Sequence, residues 1–275
     1  MNIARSSYHY RKKHGKRTVY TDTEKEAVYQ MFYRHHGSFG RRVLYKELLK
    51  SGKKMSERKI GRILKELGFR AKYGRRKGKN VHTSPNTKKY IHENLFPLLT
   101  SSEKQQEIWS MDFTEEKIQR KKIYTCGIVS VNSKVVVGYA QSKKATATLA
   151  CKALMDAIRE YGIPFMVMTD RGSQFTSAEF HDMMECFRIV HSMSRPHTPV
   201  DNRFIETFWK SMKVEMGKLT LLTPETYCMV VEYYIDYYNK RRPHSSLGYR
   251  APFEYAGLPT ESLHTQTKLY QQTVI

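Results

Sequence analysis

Apolar residues fall into two regimes along this chain. Before about residue 70 they recur every three or four positions, the spacing of helices with one buried face. Ala27, Val28, Met31 and Phe32 form such a stripe in a helix predicted over 22–36, which Gly37 stops. Val43, Leu44 and Leu48, with Leu49 beside them, mark a second helix over 41–50, broken by Ser51-Gly52. Ser56 caps a third helix that runs to Leu67, with Gly68 as its stop and Ile60, Ile63, Leu64 and Leu67 inward.

Beyond residue 104, short continuous apolar runs take over. Residues 108–113, 123–132 and 135–141 read as strands. Residues 146–161 form an amphipathic helix with Leu149, Ala153, Leu154 and Ile158 inside, ended by Gly162-Ile163-Pro164. A buried strand follows at 165–169, a helix at 177–187 and a last strand at 189–192. Phe204, Phe208 and Met212 line one later helix. Tyr227, Val230, Val231, Tyr234 and Tyr238 line another over 224–240. Between the regimes, 80–86 reads as a linker into a bridging helix over 88–96. Three strands, a crossover helix and further strands predict an α/β core with a mixed sheet. The expected organisation is a basic segment at 1–21, a small all-α domain at 22–79 and a linker with its helix at 80–104. The core follows at 105–257 and a tail at 258–275.

Charge sharpens that division. The chain carries 48 basic and 26 acidic residues, a net +22. Residues 1–100 hold 26 basic and 7 acidic side chains, whereas 101–275 hold 22 and 19. A basic helical module beside a nearly neutral core predicts a polyanion binder joined to a second function. Three short helices resemble a helix-turn-helix, with Arg58, Lys59, Arg62 and Lys65 on the outer face of the third. Arg75, Arg76 and Lys77 extend the basic run toward phosphate contact, and double-stranded DNA is the expected partner.

Cys126, Cys151, Cys186 and Cys228 are widely spaced, as suits a reducing compartment. No apolar signal core opens the chain and no 18-residue apolar run occurs, so the expectation is a cytoplasmic protein without a membrane partner.

Three carboxylates carry the candidate chemistry. Asp112 lies within the apolar run at 108–113, Asp170 closes the run at 165–169, and Glu206 follows in a helical stretch with 35 residues between it and Asp170. Acids at the ends of hydrophobic strands are costly unless paired or metal-bound. Singly, each reads as well as a cap, a turn or an exposed helix position. Their order and spacing point instead to phosphoryl chemistry on carboxylate-held magnesium.

At these residues the chain resembles the B-frame transposases of copy-out, paste-in bacterial insertion sequences, which share a catalytic core with retroviral integrases. The resemblance rests on Thr169 to Phe175, on Pro199-Val200-Asp201-Asn202 leading to Glu206, and on Lys213 seven residues beyond. It continues through Tyr238-Asn239, Arg242-Pro243-His244, Leu247-Gly248-Tyr249 and Ala251-Pro252. Met168-Thr169 replaces the usual His-Ser, and Arg203 stands where a small residue is usual. The resemblance implies an RNase H-like core in which Asp112, Asp170 and Glu206 hold two magnesium ions, with manganese able to substitute. It also implies nicking of an element's ends and joining of the 3′ hydroxyl to another phosphodiester. Lys213 is expected to contact DNA, Asn202 and Gln174 to orient the metal ligands, and Arg242 and His244 to serve folding or strand contact. Expected partners are the element's terminal inverted repeats, target DNA and further copies of the chain, in the bacterial cytoplasm with the nucleoid. An upstream-frame product fused by frameshifting is a further expected partner. A DNA-binding regulator without turnover and a structure-specific nuclease are the alternatives. The zinc module of retroviral integrases has no paired His-His and Cys-Cys counterpart near residue 1.

Overall fold

The computed structural model describes residues 20–72, 90–195, 198–217, 219 and 222–260. The chain forms two compact units, Met1–Arg75 and Arg76–Ile275. The basic residues Arg75, Arg76 and Lys77 lie outside the described residues.

The first unit contains α1 (Asp22–Arg34), α2 (Arg41–Lys50) and α3 (Glu57–Glu66). Thr21 and Glu24 form a reciprocal capping box on α1, and the Ser56 hydroxyl accepts from the Lys59 N–H at the start of α3. The predicted stripes meet in one core that includes Val28, Phe32, Leu44, Leu48, Ile60 and Ile63. Phe69, just past α3, stacks on Phe32 with ring centroids 4.8 Å apart. Leu49 remains exposed.

The second unit is an α/β fold around a five-stranded mixed sheet in the order β3-β2-β1-β4-β5. Its strands are β1 (Ile108–Ile118), β2 (Lys121–Ser130), β3 (Val136–Ser142), β4 (Met166–Thr169) and β5 (Val190–Met193). β1 pairs antiparallel with β2, and β2 with β3. β4 lies parallel to β1, and β5 parallel to β4. The crossover from β3 to β4 is α4 (Ala147–Tyr161), and α5 (Ala178–Cys186) links β4 to β5. After the sheet come α6 (Arg203–Met216), α7 (Pro224–Lys240) and α8 (Pro252–Ala256).

Alternation along β1 sends successive side chains to opposite layers. Trp109 and Met111 pack with Leu149, Ala153 and Leu154 of α4 and Phe180 of α5. Ile118 joins Ile205, Phe208 and Trp209 of α6 and Tyr234 of α7 on the other side. The inner face of α6 is therefore Ile205, Phe208, Trp209 and Met212, while Phe204 turns toward Phe96 and Ile108.

Two elements differ from expectation. β1 continues past Phe113 to Ile118, because Thr114 to Ile118 pair with Lys121 to Thr125 across a hairpin whose tip, Gln119 and Arg120, has positive φ of 46° and 67°. The predicted helix over 88–96 does not form where the chain is described. From Tyr90 it runs as an extended strap beside β5, with the Met193 N–H donating to the Glu93 carbonyl and the Leu95 N–H to Ser192 Oγ. Backbone groups spent on this edge are not available to a helix, and only a 3₁₀ turn at Phe96–Leu98 follows. Among the described residues, no helix is long and apolar enough to cross a membrane.

Candidate active site

Asp112 stands on the face of β1 that looks toward α6, and its partner across the antiparallel pair is Gly127. A Cβ at Gly127 would lie 2.7 Å from Trp209 Cη2. The missing side chain lets the Trp209 ring rest on the sheet, and α6 with it. Glu206 lies one turn earlier on the same helix.

Asp170 reaches the same edge by strand register. β4 runs parallel to β1 with Ser110 opposite Met168, and the same register carried two residues further sets Asp170 level with Asp112. Asp170 Oδ1 accepts the Gly172 N–H at 2.8 Å. A Cβ on Gly172 would sit 2.9 Å from both Asp170 Oδ1 and Gln174 Oε1. Gln174 Oε1 and Asp170 Oδ1 thus both border Gly172, and Gln174 Nε2 donates to the Ala145 carbonyl at 3.3 Å just before α4.

Asn202 ties α6 to β1. The Ser110 hydroxyl donates to Asn202 Oδ1 at 2.6 Å, and Asn202 Nδ2 donates to the Met111 carbonyl at 3.4 Å. These bonds are buried and immediately precede Asp112 in the strand. Asn202 therefore acts on the strand and helix that carry the acids, not on a carboxylate directly. Next to it, Asp201 accepts from Arg195 Nε and Nη2, both at 3.0 Å, which holds its carboxyl down at about 2.

The acids share one electrostatic environment. Burial, then the charges of Asp170 and Glu206, push the Asp112 carboxyl up to about 7, against the Phe113 N–H and Lys213. Burial raises Asp170 against its Gly172 hydrogen bond, and burial and Asp170 raise Glu206. Asp112 is half-buried, while Asp170 and Glu206 are exposed. Lys213 is exposed on α6, with Nζ 3.5 Å from the Glu115 carbonyl of β1. Among the described residues, no group of three or more His, Cys, Asp or Glu closes tightly enough to hold a metal ion. The three carboxylates border a common space without converging on one point.

In the first unit, Arg58, Arg62 and Lys65 are exposed on α3. Lys59 is half-buried and pairs with Glu24 of α1, an engagement that the helical pattern alone did not reveal. A second group missed in the sequence is Glu215 on α6. Its side chain is wholly buried and receives Arg242 Nη2 at 2.6 Å, Arg242 Nε at 2.9 Å and the Tyr234 hydroxyl at 3.0 Å. The motif residue Arg242 was the available signal. Its acidic partner reads as an ordinary helix glutamate.

The match to known families follows this geometry. An integrase core domain family matches residues 102–199, a second integrase core domain family matches 187–252, and an HTH-like domain family matches 20–77. The transposase for insertion sequence element IS904 of Lactococcus lactis is 26% identical over 244 residues, covering 87% of this chain and 96% of that protein. An uncharacterized 31 kDa protein of insertion element IS600 from Shigella sonnei is 29% identical over 219 residues, covering 78% of this chain and 80% of that one. Among solved structures, a chain of the simian T-cell lymphotropic virus intasome, bound to PP2A regulatory subunit B56 gamma, aligns over 86% of this chain and 76% of its own. Its identity is 18% and its TM-score 0.48.

Proposed function

We propose that the chain, which integrase core domain and HTH-like domain families match and which is similar to insertion-sequence transposases, is a metal-dependent DDE transposase. In this reading it nicks the ends of its insertion sequence and joins the freed 3′ hydroxyl to another phosphodiester. The observation that carries the reading is the strand register that levels Asp170 with Asp112, together with the Asp170 charge that raises both Asp112 and Glu206.

The donor set fits magnesium, or manganese in its place: hard carboxylate oxygens that repel one another and lie where a phosphate can reach. Bound as a pair, such ions supply charge stabilisation to the attacking and leaving oxygens of an in-line displacement. Asp112, Asp170 and Glu206 would hold the ions, with Asp112 as the ligand common to both. In the first step, a water oxygen bonds to phosphorus while the bond to the 3′ oxygen breaks, and that oxygen leaves as a hydroxyl. In the second step this hydroxyl bonds to a new phosphorus and displaces another 3′ oxygen. Each phosphorus keeps four bonds to oxygen throughout: the first step turns a diester into a 5′ monoester, with the water's proton passing to the leaving 3′ oxygen, the second exchanges one ester bond for another, and neither needs a redox partner.

Lys213 places an ammonium on the Glu206 side of α6, where it would hold the phosphate beside the cut. Asn202 fixes the β1 backbone before Asp112, and Gln174, tied to the Ala145 carbonyl, braces the Gly172 turn whose N–H holds Asp170. Arg58, Arg62 and Lys65, with Arg75, Arg76 and Lys77 beyond the described residues, are assigned to duplex DNA, and Lys59 would have to leave Glu24 to join them. Assembly of several copies on two element ends, and fusion to an upstream-frame product, complete the proposal.

Incubating the purified chain with DNA carrying both terminal repeats and magnesium tests it. A nick with a free 3′ hydroxyl, followed by a joined product, is expected. Binding of the repeats with no cleavage under magnesium or manganese would replace this reading with a DNA-binding regulator.

A further inference from the structure

The helix that carries Glu206 and Lys213 is held at both ends. At its start Asn202 bonds to β1. Toward its end Glu215 is clamped by Arg242, which lies just after α7. That end of α7 is itself fixed to the edge strand, since Asn239 Oδ1 accepts the Val136 N–H at 2.8 Å and its Nδ2 donates to the Val136 carbonyl at 2.9 Å. α6 is thereby referenced to the sheet through β1 at one end and through β3 at the other.

Glu215 is nine residues beyond Glu206. At about 100° per residue, that places it about half a turn round the helix, on the side opposite Glu206 and Lys213. A wholly buried carboxylate there would be costly without its partners. It has a bidentate guanidinium, the Tyr234 hydroxyl and, through Arg242 Nη2, the Ser211 hydroxyl at 3.4 Å. Arg242 also contacts His244 Nε2 through Nη1 at 3.2 Å. Replacing such a buried pair with apolar residues of similar size is often neutral or stabilising, so stability does not require it. An apolar interface, however, lets a helix settle at more than one rotation. Rotating α6 by about 20° would move a side-chain end by roughly 2 Å.

We propose that Glu215 and Arg242 are positioning residues that set the rotation of α6 about its axis, and so aim Glu206 and Lys213 at the space beside Asp112 and Asp170. The proposal rests on the transposase reading above. Its test compares wild type, the double variant Glu215→Met/Arg242→Met and the mild variant Tyr234→Phe as full chains. Thermal midpoint, manganese binding by calorimetry, DNA-end affinity and single-turnover cleavage at saturating DNA are measured for each. The double variant should keep its thermal midpoint and DNA affinity within a few degrees and a few-fold, bind manganese more weakly, and cleave about 10–100-fold more slowly, the scale of an ångström-level misplacement. Tyr234→Phe, which removes one hydrogen bond, should fall between it and wild type. Folded variants with wild-type manganese affinity and cleavage would overturn the clamp while leaving the transposase reading intact. If the double variant does not fold, wild-type values in Tyr234→Phe overturn the clamp and reduced ones support it. A wild-type chain that neither binds manganese nor cleaves would overturn both.

Discussion

At the scale of single residues, the three acids and Lys213 differ in what they should do. Asp112→Asn, Asp170→Asn and Glu206→Gln each keep size and lose charge, and each is expected to abolish end cleavage while DNA binding stays within a few-fold. Gel assays of nicking and of repeat binding on the same preparations check this, and near-normal cleavage by any one variant removes that residue from the metal site. Lys213→Ala should slow cleavage less, by the 10- to 100-fold scale of one charge-assisted contact of about 1.5–3 kcal/mol. Its fold stability should hardly change, because the side chain is exposed. Rates at saturating DNA decide the point. That these four residues lie near enough to feel one another's charge was legible from their neighbours in sequence, such as the apolar run ending at Asp170. Glu215 was not legible: its meaning comes from Arg242, 27 positions away, and no local pattern distinguishes a buried glutamate from a solvated one.

Elements were legible where periodicity was strong and illegible where pairing decides conformation. All three helices of the first unit and the α4 crossover follow their apolar stripes. The outer half of β1 reads as a polar turn because Thr114 to Lys117 are polar or charged, and only the facing β2 residues make it a strand. The strap from Tyr90 is extended because β5 offers it an edge, a fact absent from its own sequence. That strap supports a prediction. His92, His181 and His191 crowd together, His92 lying 5.6 Å from His181 and 4.9 Å from His191 by ring centroids. One buried nitrogen of each ring, His92 Nε2, His181 Nδ1 and His191 Nδ1, lacks a hydrogen-bond partner. Burial first, then the two neighbouring histidines, hold His191 down at about 3, and burial lowers His92 as well. A folded value below the unfolded 6.5 or so means the native state favours the neutral ring. The stabilisation is full above about pH 6.5 and is lost as pH falls toward 3. Protection against hydrogen exchange at residues 90–95, taken relative to the intrinsic amide rate at each pH, should therefore fall on acidification, and His191→Phe should flatten that dependence. Protection unchanged between pH 7 and 4 would refute it. Gly127 makes a second test at this scale. Gly127→Ala places a methyl against Trp209 and should cost about 1–3 kcal/mol by overpacking while reducing cleavage more than DNA binding. Adding Trp209→Leu should restore part of both, measured by denaturant midpoint and nicking rate.

For the whole molecule, charge and core separate. The first unit has its own hydrophobic cluster and the basic third of the sequence, so a fragment ending near residue 86 should bind duplex DNA without cutting it. Each phosphate contact should add about 0.9 to the slope of log affinity against log salt. Fluorescence anisotropy across a salt series measures this, and an affinity insensitive to salt would make the basic face a device for solubility only. The boundary between the two compact units at Arg75 falls between the helical apolar spacing that ends near residue 70 and the strand-like runs that begin after residue 104.

The distribution of the site along the chain also fixes an order in time. Asp112 and Asp170 come from a sheet whose parallel pairing waits for α4, Glu206 comes later still, and Arg242 is among the last described residues to matter. Domains fold from the N-terminus during synthesis at about 5–20 residues per second. The first unit therefore leaves the ribosome roughly 10–30 s before the clamp on α6 can close. On the proposed function, a nascent chain in that interval would bind DNA with no means of cutting it. Ribosome-bound chains halted near residue 200 should capture element ends and leave them intact, and release of the full chain should start the clock on cleavage.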